Sequence, residues 1–210
     1  MAWHGRNQES FPINFHYVYE RAILQRNILS DFEQGYQSAK RVNVIETTKF
    51  IILMGVTGSG KTTVGKALAE RLGWDFFDGD DFHSIENIQK MSHGIPLTDE
   101  DRADWLNALA GLIHRQLENR EHGILACSAL KQRYRQRLAA AGDAVSFVYL
   151  KGNPDIIRNR VKTRQDHYMR VEMVESQFAA LEEPAGGLVL NIEQPVNDLV
   201  EEIIAYFNLN

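Results

Sequence analysis

Residues 55–62 read Gly55-Val56-Thr57-Gly58-Ser59-Gly60-Lys61-Thr62, with Thr63 next. Their types and spacing fit one kind of chemistry, the holding of phosphate groups. Glycines let the backbone curl so that consecutive N–H groups point inward at anionic oxygens. A helix opening at the end of the run adds the positive end of its dipole. In such a Gly-x-x-x-x-Gly-Lys-Thr loop, Lys61 reaches the β- and γ-phosphates of a nucleoside triphosphate such as ATP, and the Thr62 hydroxyl is placed to ligate Mg²⁺. Eight matched positions between an apolar strand and a helix set it apart from a glycine-rich turn with no ligand.

Two carboxylates come next. Asp78 and Asp80 flank Gly79 at the carboxyl end of a second short strand, where ligands of open α/β sheets bind. On an extended chain a spacing of two points both side chains the same way. One carboxylate is then suited to a metal-bound water, the other to the hydroxyl that attacks phosphorus. In phosphoryl transfer such a base mainly orients the nucleophile and takes its proton late. Asp-Gly-Asp also makes an ordinary polar turn; the upstream phosphate cradle favours the functional reading.

The rest of the chain narrows the class. It carries no Asn-Lys-x-Asp or Thr-Lys-x-Asp segment of the kind that specifies guanine. A motor or transporter ATPase would place an acidic residue at the end of an apolar strand, yet the third strand ends Ala126-Cys127-Ser128. A compact small-molecule kinase remains, with the metal held largely by phosphates, Thr62 and water. A non-catalytic nucleotide-binding module would be expected to have lost Lys61, Thr62, Asp78 or Asp80, and all four are present.

A formal net charge of −5 argues against nucleic acid as a partner. Residues 131–170 run the other way, with ten Lys or Arg against three Asp. Such a segment suits a local anionic ligand, or a set of solvated helix faces. No apolar run approaches the roughly 18 residues of a membrane span. The N-terminus lacks the apolar stretch of a secretory signal. Cys127 is the only cysteine, so a cytoplasmic location is expected.

These residues need a scaffold, and the patterning describes one. The 210 residues suffice for one well-packed domain. Phe50–Met54 is wholly apolar and ends at glycine, as a buried parallel strand does. A helix follows from Lys61 to about Leu72, closed by Gly73. Further strands are expected at Asp75–Phe77, Ile124–Ser128, Val145–Leu150 and Leu188–Ile192. Thr98 and Asp101 resemble a capping box at the head of a helix whose Leu106, Leu109, Ala110, Ile113 and Leu117 share a face. Asn153-Pro154 opens another helix running toward Arg164. A last helix lies near Val196–Phe207. Strands alternating with helices imply an α/β fold, a parallel sheet covered on both faces.

Residues 1–45 stand apart as an N-terminal extension, with residues 46–210 as the kinase-like domain. The extension is polar and aromatic, with a helix expected from about Asn14 to Gln34, and no chemistry is legible in it. A docking arm, a leader and translation from an upstream start are all compatible with it.

Several motifs together resemble one family. Asp78-Gly79-Asp80-Asp81-Phe82-His83 continues through Asn87, Lys90-Met91, Gly94 and Pro96-Leu97 to Asp99-x-Asp101-Arg102 and Trp105-Leu106. Cys127-Ser128-Ala129-Leu130-Lys131, Tyr134-Arg135, His167-Tyr168-Met169, Ser176-Gln177-Phe178 and Leu181-Glu182-Glu183-Pro184 follow. Over roughly residues 49–207 this pattern is similar to the gluconokinases, related to shikimate kinase. The resemblance implies a three-layer P-loop kinase fold, a five-stranded parallel sheet flanked by helices with a mobile lid at about 163–171. It implies ATP-dependent phosphorylation of D-gluconate to 6-phospho-D-gluconate, with Mg²⁺, in a homodimer.

The resemblance also implies roles. Asp80 would contact the acceptor hydroxyl and Asp78 would sit in the metal's outer shell. Arg160 and Arg164 would clamp the transferring phosphate. Arginine binds a carboxylate through paired donors, so Arg102, Lys131 and Arg135 are the candidates for the gluconate carboxylate. His83 and His167 would serve its hydroxyls. Each has a plainer alternative: Arg102 pairing with a neighbouring acid, Lys131 and Arg135 on a solvent-facing helix, the histidines structural. Cys127 and Trp105 read as core. Asn191, where relatives often carry aspartate, and the short Pro184–Gly187 link are departures on the expected adenine side. A kinase of another, shikimate-like hydroxy acid is the alternative acceptor class.

Overall fold

The run Phe50–Met54 forms strand β1, and all five of its side chains are buried. It lies at the centre of a five-stranded sheet ordered β2-β3-β1-β4-β5 and parallel throughout. The structure is a computed structural model and describes residues 48–163 and 171–209. The expected helix at Asn14–Gln34, and Arg164 and His167 of the expected lid, lie outside the described residues.

Alternation along β1 sorts the core into two layers. Ile51 and Leu53 point to one face, against Leu68 of α1 (Lys61–Leu72) and Leu199 and Ile203 of α7 (Val196–Phe207). Phe50, Ile52 and Met54 point to the other, against Leu109 and Ile113 of α3 (Ala103–Glu118) and Leu138 of α4 (Gln132–Leu138). Burying each such side chain contributes about 1.5–3 kcal/mol. A strand with two apolar faces is therefore stable only between two helical layers.

The other strands are β2 (Asp75–Asp78), β3 (Gly123–Ala126), β4 (Val145–Lys151) and β5 (Leu188–Asn191). From β1 the chain crosses to one side of the sheet, and from β3 to the other. A crevice therefore opens outside the carboxyl ends of these two neighbours. Ladder pairing in β3 stops at Ala126, two residues before the expected end. Beyond it the Cys127 N–H still bonds Leu53 O at 3.0 Å, and Ser128 O accepts from the Gly55 N–H at 3.2 Å. Ser128 is thereby turned toward the crevice mouth.

Local signals explain most boundaries. Gly73 takes a left-handed φ of 68° and its N–H closes α1 on Ala69 O. The capping box forms as expected: Asp101 Oδ2 accepts from the Thr98 N–H at 2.9 Å, and Thr98 Oγ1 from the Asp101 N–H at 3.2 Å. The α-helix itself begins at Ala103. Asn153 Oδ1 caps α5 (Pro154–Thr163) through the Asp155 N–H at 2.8 Å. Helix α2 (Ile85–Ser92) was not expected; Ser84 caps it, but Ile85 and Ile88 are 71% and 45% exposed, so it lacks a core-facing stripe. Helix α6 (Val171–Ala180) completes the set. Among the described residues no helix is long and apolar enough to cross a membrane.

Candidate active site

The phosphate loop joins β1 to α1, and its shape rests on glycine. Gly60 holds φ at 94° as the N-cap of α1. Gly58 has φ of 79°, and a Cβ there would lie 2.8 Å from Val161 Cγ2. Helix α1 has no side-chain cap and no acid in its first turn, so its positive end faces the loop. Ser59 Oγ is buried there without a hydrogen-bond partner, as expected of a hydroxyl whose partner is a ligand. Lys61 Nζ donates to Gly55 O and Val56 O, each at 3.0 Å, and so spans the loop.

Thr62 and Asp78, the two residues expected to serve a metal, are in contact. The Thr62 hydroxyl donates to Asp78 Oδ2 at 2.9 Å. Both offer hard oxygen donors suited to Mg²⁺. Among the described residues no group of three or more His, Cys, Asp or Glu side chains could hold a metal, so an ion here would take its other ligands from phosphates and water.

The reason given from spacing for the Asp78–Asp80 pair does not hold. Gly79–Phe82 is a turn of 3₁₀-helix, not extended chain. Asp78 caps it, its Oδ1 accepting from the Asp80 N–H at 3.2 Å. The two carboxylates therefore part, Asp78 toward Thr62 and Asp80 toward a neighbouring cavity of about 250 Å³. Gly79 is required because a Cβ would lie 2.8 Å from Ala126 O.

Asp80, His83, Arg102, Ser128, Lys131, Tyr134 and Gln177 supply the polar wall of that cavity, and Met91, Leu97, Trp105 and Met173 much of its apolar one. A few convergent polar groups on an apolar base is the make-up of a small-molecule site. Trp105 is core, as expected, but it is also cavity floor. Its Nε1–H donates to Gly79 O at 2.7 Å, and the His83 ring stacks on it at 4.5 Å between centroids.

Burial, and secondarily the Arg102 guanidinium, lowers the His83 imidazole to about 4. His83 Nδ1 is buried without a hydrogen-bond partner, so a neutral ring faces the cavity. Unfolded, the same imidazole titrates near 6.5. Between 6.5 and about 4 the unfolded chain binds a proton that the folded chain does not. His83 therefore opposes folding increasingly as pH drops through that window and has no such effect above it. Thermal unfolding should show His83→Gln gaining on wild type as pH falls from 7 to 4.5; parallel curves would refute the assignment.

The three candidate carboxylate binders separate. Arg102 stays at the cavity, its Nη1 donating to Leu97 O and, at 3.2 Å, to Thr98 O. Lys131 lines it too, with Nζ held by Asp99 at 2.9 and 3.1 Å. Asp99 also accepts from Arg133 and Tyr134. Arg135 does not reach the cavity. It is 8% exposed, and its Nη1 donates to Ala129 O and Leu130 O at 3.0 and 2.9 Å. Lys131 precedes α4 in an extended conformation, so the spacing of four does not put the two on one face.

Arg135 braces the turn at Ala129, where φ is 42°. Replacing it by Met leaves the Ala129 carbonyl without its donor, while Leu130 O keeps the Glu182 N–H at 2.9 Å, and should cost about 2 kcal/mol. The melting temperature should fall by roughly 4–8 °C, as read by thermal unfolding.

Arg160, expected as a phosphate clamp, lies beside the phosphate loop. Its Nη2 donates to Ile192 O at 3.0 Å, and it lines a second cavity of about 250 Å³ with Gly58, Ser59, Gly60 and Thr63. That places it beside the phosphate loop near the end of β5, away from the acceptor cavity. The fold puts it there because α5 packs along the loop through Ile157 and Val161. Cys127 is buried, and burial pushes its thiol up to about 12, so it is no nucleophile.

Gln177 had no assigned role in the sequence, although it stands in a quoted motif. Its Oε1 accepts from the Thr57 N–H at 2.6 Å. Other quoted motif residues prove to build walls. Asn87 Nδ2 donates to Asp101 O at 2.7 Å and Lys90 Nζ to Asp101 Oδ1 at 2.6 Å, fastening α2 to the capping turn. Glu182 Oε2 accepts from the Gln132 N–H at 2.5 Å at the head of α4.

A phosphate loop at the switch point of a parallel sheet, with a carboxylate-lined cavity beside it, defines a P-loop small-molecule kinase. The shikimate kinase family model matches residues 57–185. Thermoresistant gluconokinase of Escherichia coli is 40% identical over 157 residues, covering 73% of this chain and 90% of that protein. A probable gluconokinase of Mus musculus is 42% identical over 158 residues, covering 67% and 86%. Among solved structures, a gluconokinase from Sinorhizobium meliloti superposes with TM-score 0.67 at 38% identity, covering 78% of this chain and 99% of that one. The chain belongs to the gluconokinase family, on the scaffold it shares with shikimate kinase.

Proposed function

We propose that this chain phosphorylates D-gluconate with ATP to give 6-phospho-D-gluconate, in the catabolism of sugar acids. The observation that carries the reading is the Asp80-lined polar cavity opening beside the phosphate loop, in a chain about 40% identical to gluconokinases along most of their length. Residues 55–63 hold the nucleotide's phosphates through Ser59 Oγ, Lys61 Nζ and backbone N–H groups other than that of Thr57. Thr62 would ligate Mg²⁺, with Asp78 in its outer shell. When bound, the ion neutralises charge on the β- and γ-phosphates.

Asp80 accepts the hydrogen bond of the attacking hydroxyl and takes its proton as the bond to phosphorus forms. Arg102 and Lys131 bind the carboxylate, and neutral His83 a hydroxyl. Arg164 and His167 are assigned from the family resemblance, as phosphate clamp and hydroxyl partner. Arg160 serves the nucleotide side. The same reading takes residues 46–210 as the kinase domain, residues 1–45 as an extension, a lid at about 163–171, a homodimer, a cytoplasmic location, and no nucleic-acid or membrane partner.

The test is ADP release with gluconate, shikimate, other sugar acids and nucleoside monophosphates in turn. Turnover should be strongest with gluconate. Turnover of shikimate but not gluconate would reverse the acceptor assignment. ATP binding without turnover of any acceptor would indicate a nucleotide-binding module.

A further inference from the structure

Gln177 touches both halves of the site. Its Oε1 takes the Thr57 N–H of the phosphate loop at 2.6 Å, and its side chain lines the acceptor cavity. A backbone N–H can only donate, so the carboxamide has one orientation, oxygen on the loop. Its Nε2 is therefore the end left to serve the cavity, and that group can only donate. The helix presenting it is firmly seated. Met173, Ser176, Gln177 and Ala180 recur three and four residues apart and give one face of α6 to the cavity. Val174, on another face, is fully buried. Glu175 is clamped to α5 by Arg158, Nε to Oε1 at 2.5 Å and Nη2 to Oε2 at 3.2 Å.

We infer that Gln177 is an acceptor-binding, specificity-determining residue anchored on the phosphate loop, its Nε2–H₂ donating to a hydroxyl or carboxylate oxygen of the sugar acid. The inference rests on the proposed gluconate activity. It has a direct consequence: a donor fixed in direction rewards an oxygen at one position and penalises an acceptor lacking it.

The test compares the full-length wild type with Gln177→Met and Gln177→Glu in steady-state kinetics, with thermal unfolding as the folding control. Met keeps the volume and loses both polar ends. Glu keeps the shape and an oxygen for Thr57, but has no N–H to donate. Both should raise KM for gluconate at least about tenfold, the loss of one good hydrogen bond, with KM for ATP within about threefold. An unchanged gluconate KM, or gluconate and ATP KM rising together, would overturn the inference and leave Gln177 a brace of the loop. If Gln177→Met does not fold, Gln177→Glu decides. A wild type that does not turn over gluconate overturns the activity and this inference together. A gluconate-active wild type with unchanged variants overturns this inference alone.

Discussion

Asp80→Asn is expected to lower kcat for gluconate phosphorylation about 10²–10⁴-fold, the usual worth of a positioned general base, while ATP affinity stays within about twofold. Asp80 is held through its backbone, whose N–H bonds Asp78 Oδ1, and an asparagine keeps that bond and the side-chain shape. It loses the capacity to take the acceptor's proton. Three decades of rate correspond to about 4 kcal/mol of transition-state stabilisation. Asp78 is the instructive contrast, since it touches Thr62 and caps the turn; Asp78→Asn should mainly raise the Mg²⁺ concentration needed for half-maximal rate. Nucleotide titration of the Asp80 variant decides the matter. A collapse of ATP binding would show that Asp80 serves the donor and not the acceptor.

Lys61→Ala should cost about 10³-fold in kcat/KM, the scale of losing a preorganised charge at the reacting phosphate, and should weaken ATP binding as well. In the structure the ammonium bonds the carbonyls of Gly55 and Val56, two groups at the start of the loop that it would otherwise leave for the phosphates. The side chain thus holds the loop's shape and then stabilises charge on the nucleotide, and both functions depend on a compact ammonium. Lys61→Arg should rescue little, because a planar guanidinium cannot occupy the same position. Single-turnover rates at saturating ATP separate the two effects. Full activity at high ATP would reduce Lys61 to a binding residue.

The wall of the acceptor cavity is built on charge pairing at its edge. Asp99 gathers Lys131, Arg133 and Tyr134, and Asp101 gathers Lys90 and the Thr98 N–H. Lys90 holds Asp101 well below the usual carboxylate range, chiefly by hydrogen bonding. The Asp99 pairing holds Lys131 along one side of a cavity that must attract an anion, and Asp80 is the one carboxylate among its described lining residues.

The sequence by itself determined the donor half of this protein. Glycine spacing, the following helix and the adjacent Lys61 and Thr62 are a local matter, because one loop supplies the whole cradle. It also determined the layered α/β fold, since β1 is apolar on both faces and can be stable only between helices. Asp80 was legible for the same reason, being close in sequence to the end of a recognisable strand. The acceptor half was decided only by tertiary structure. Its wall comes from the turn after β2 and from α2, α3, α4 and α6 with the segments leading into them, and whether a basic residue faces the cavity depends on packing that spacing does not encode. Arg135 turned inward to the carbonyls of the turn at Ala129, whose own O takes its donor from the guanidinium. Arg160 faced the loop's nucleotide side because α5 packs there, and Asp78 and Asp80 parted because the chain turns at Gly79. Gln177 had no signal of its own, since its partner is a backbone N–H 120 residues away, and only the folded chain brings them together.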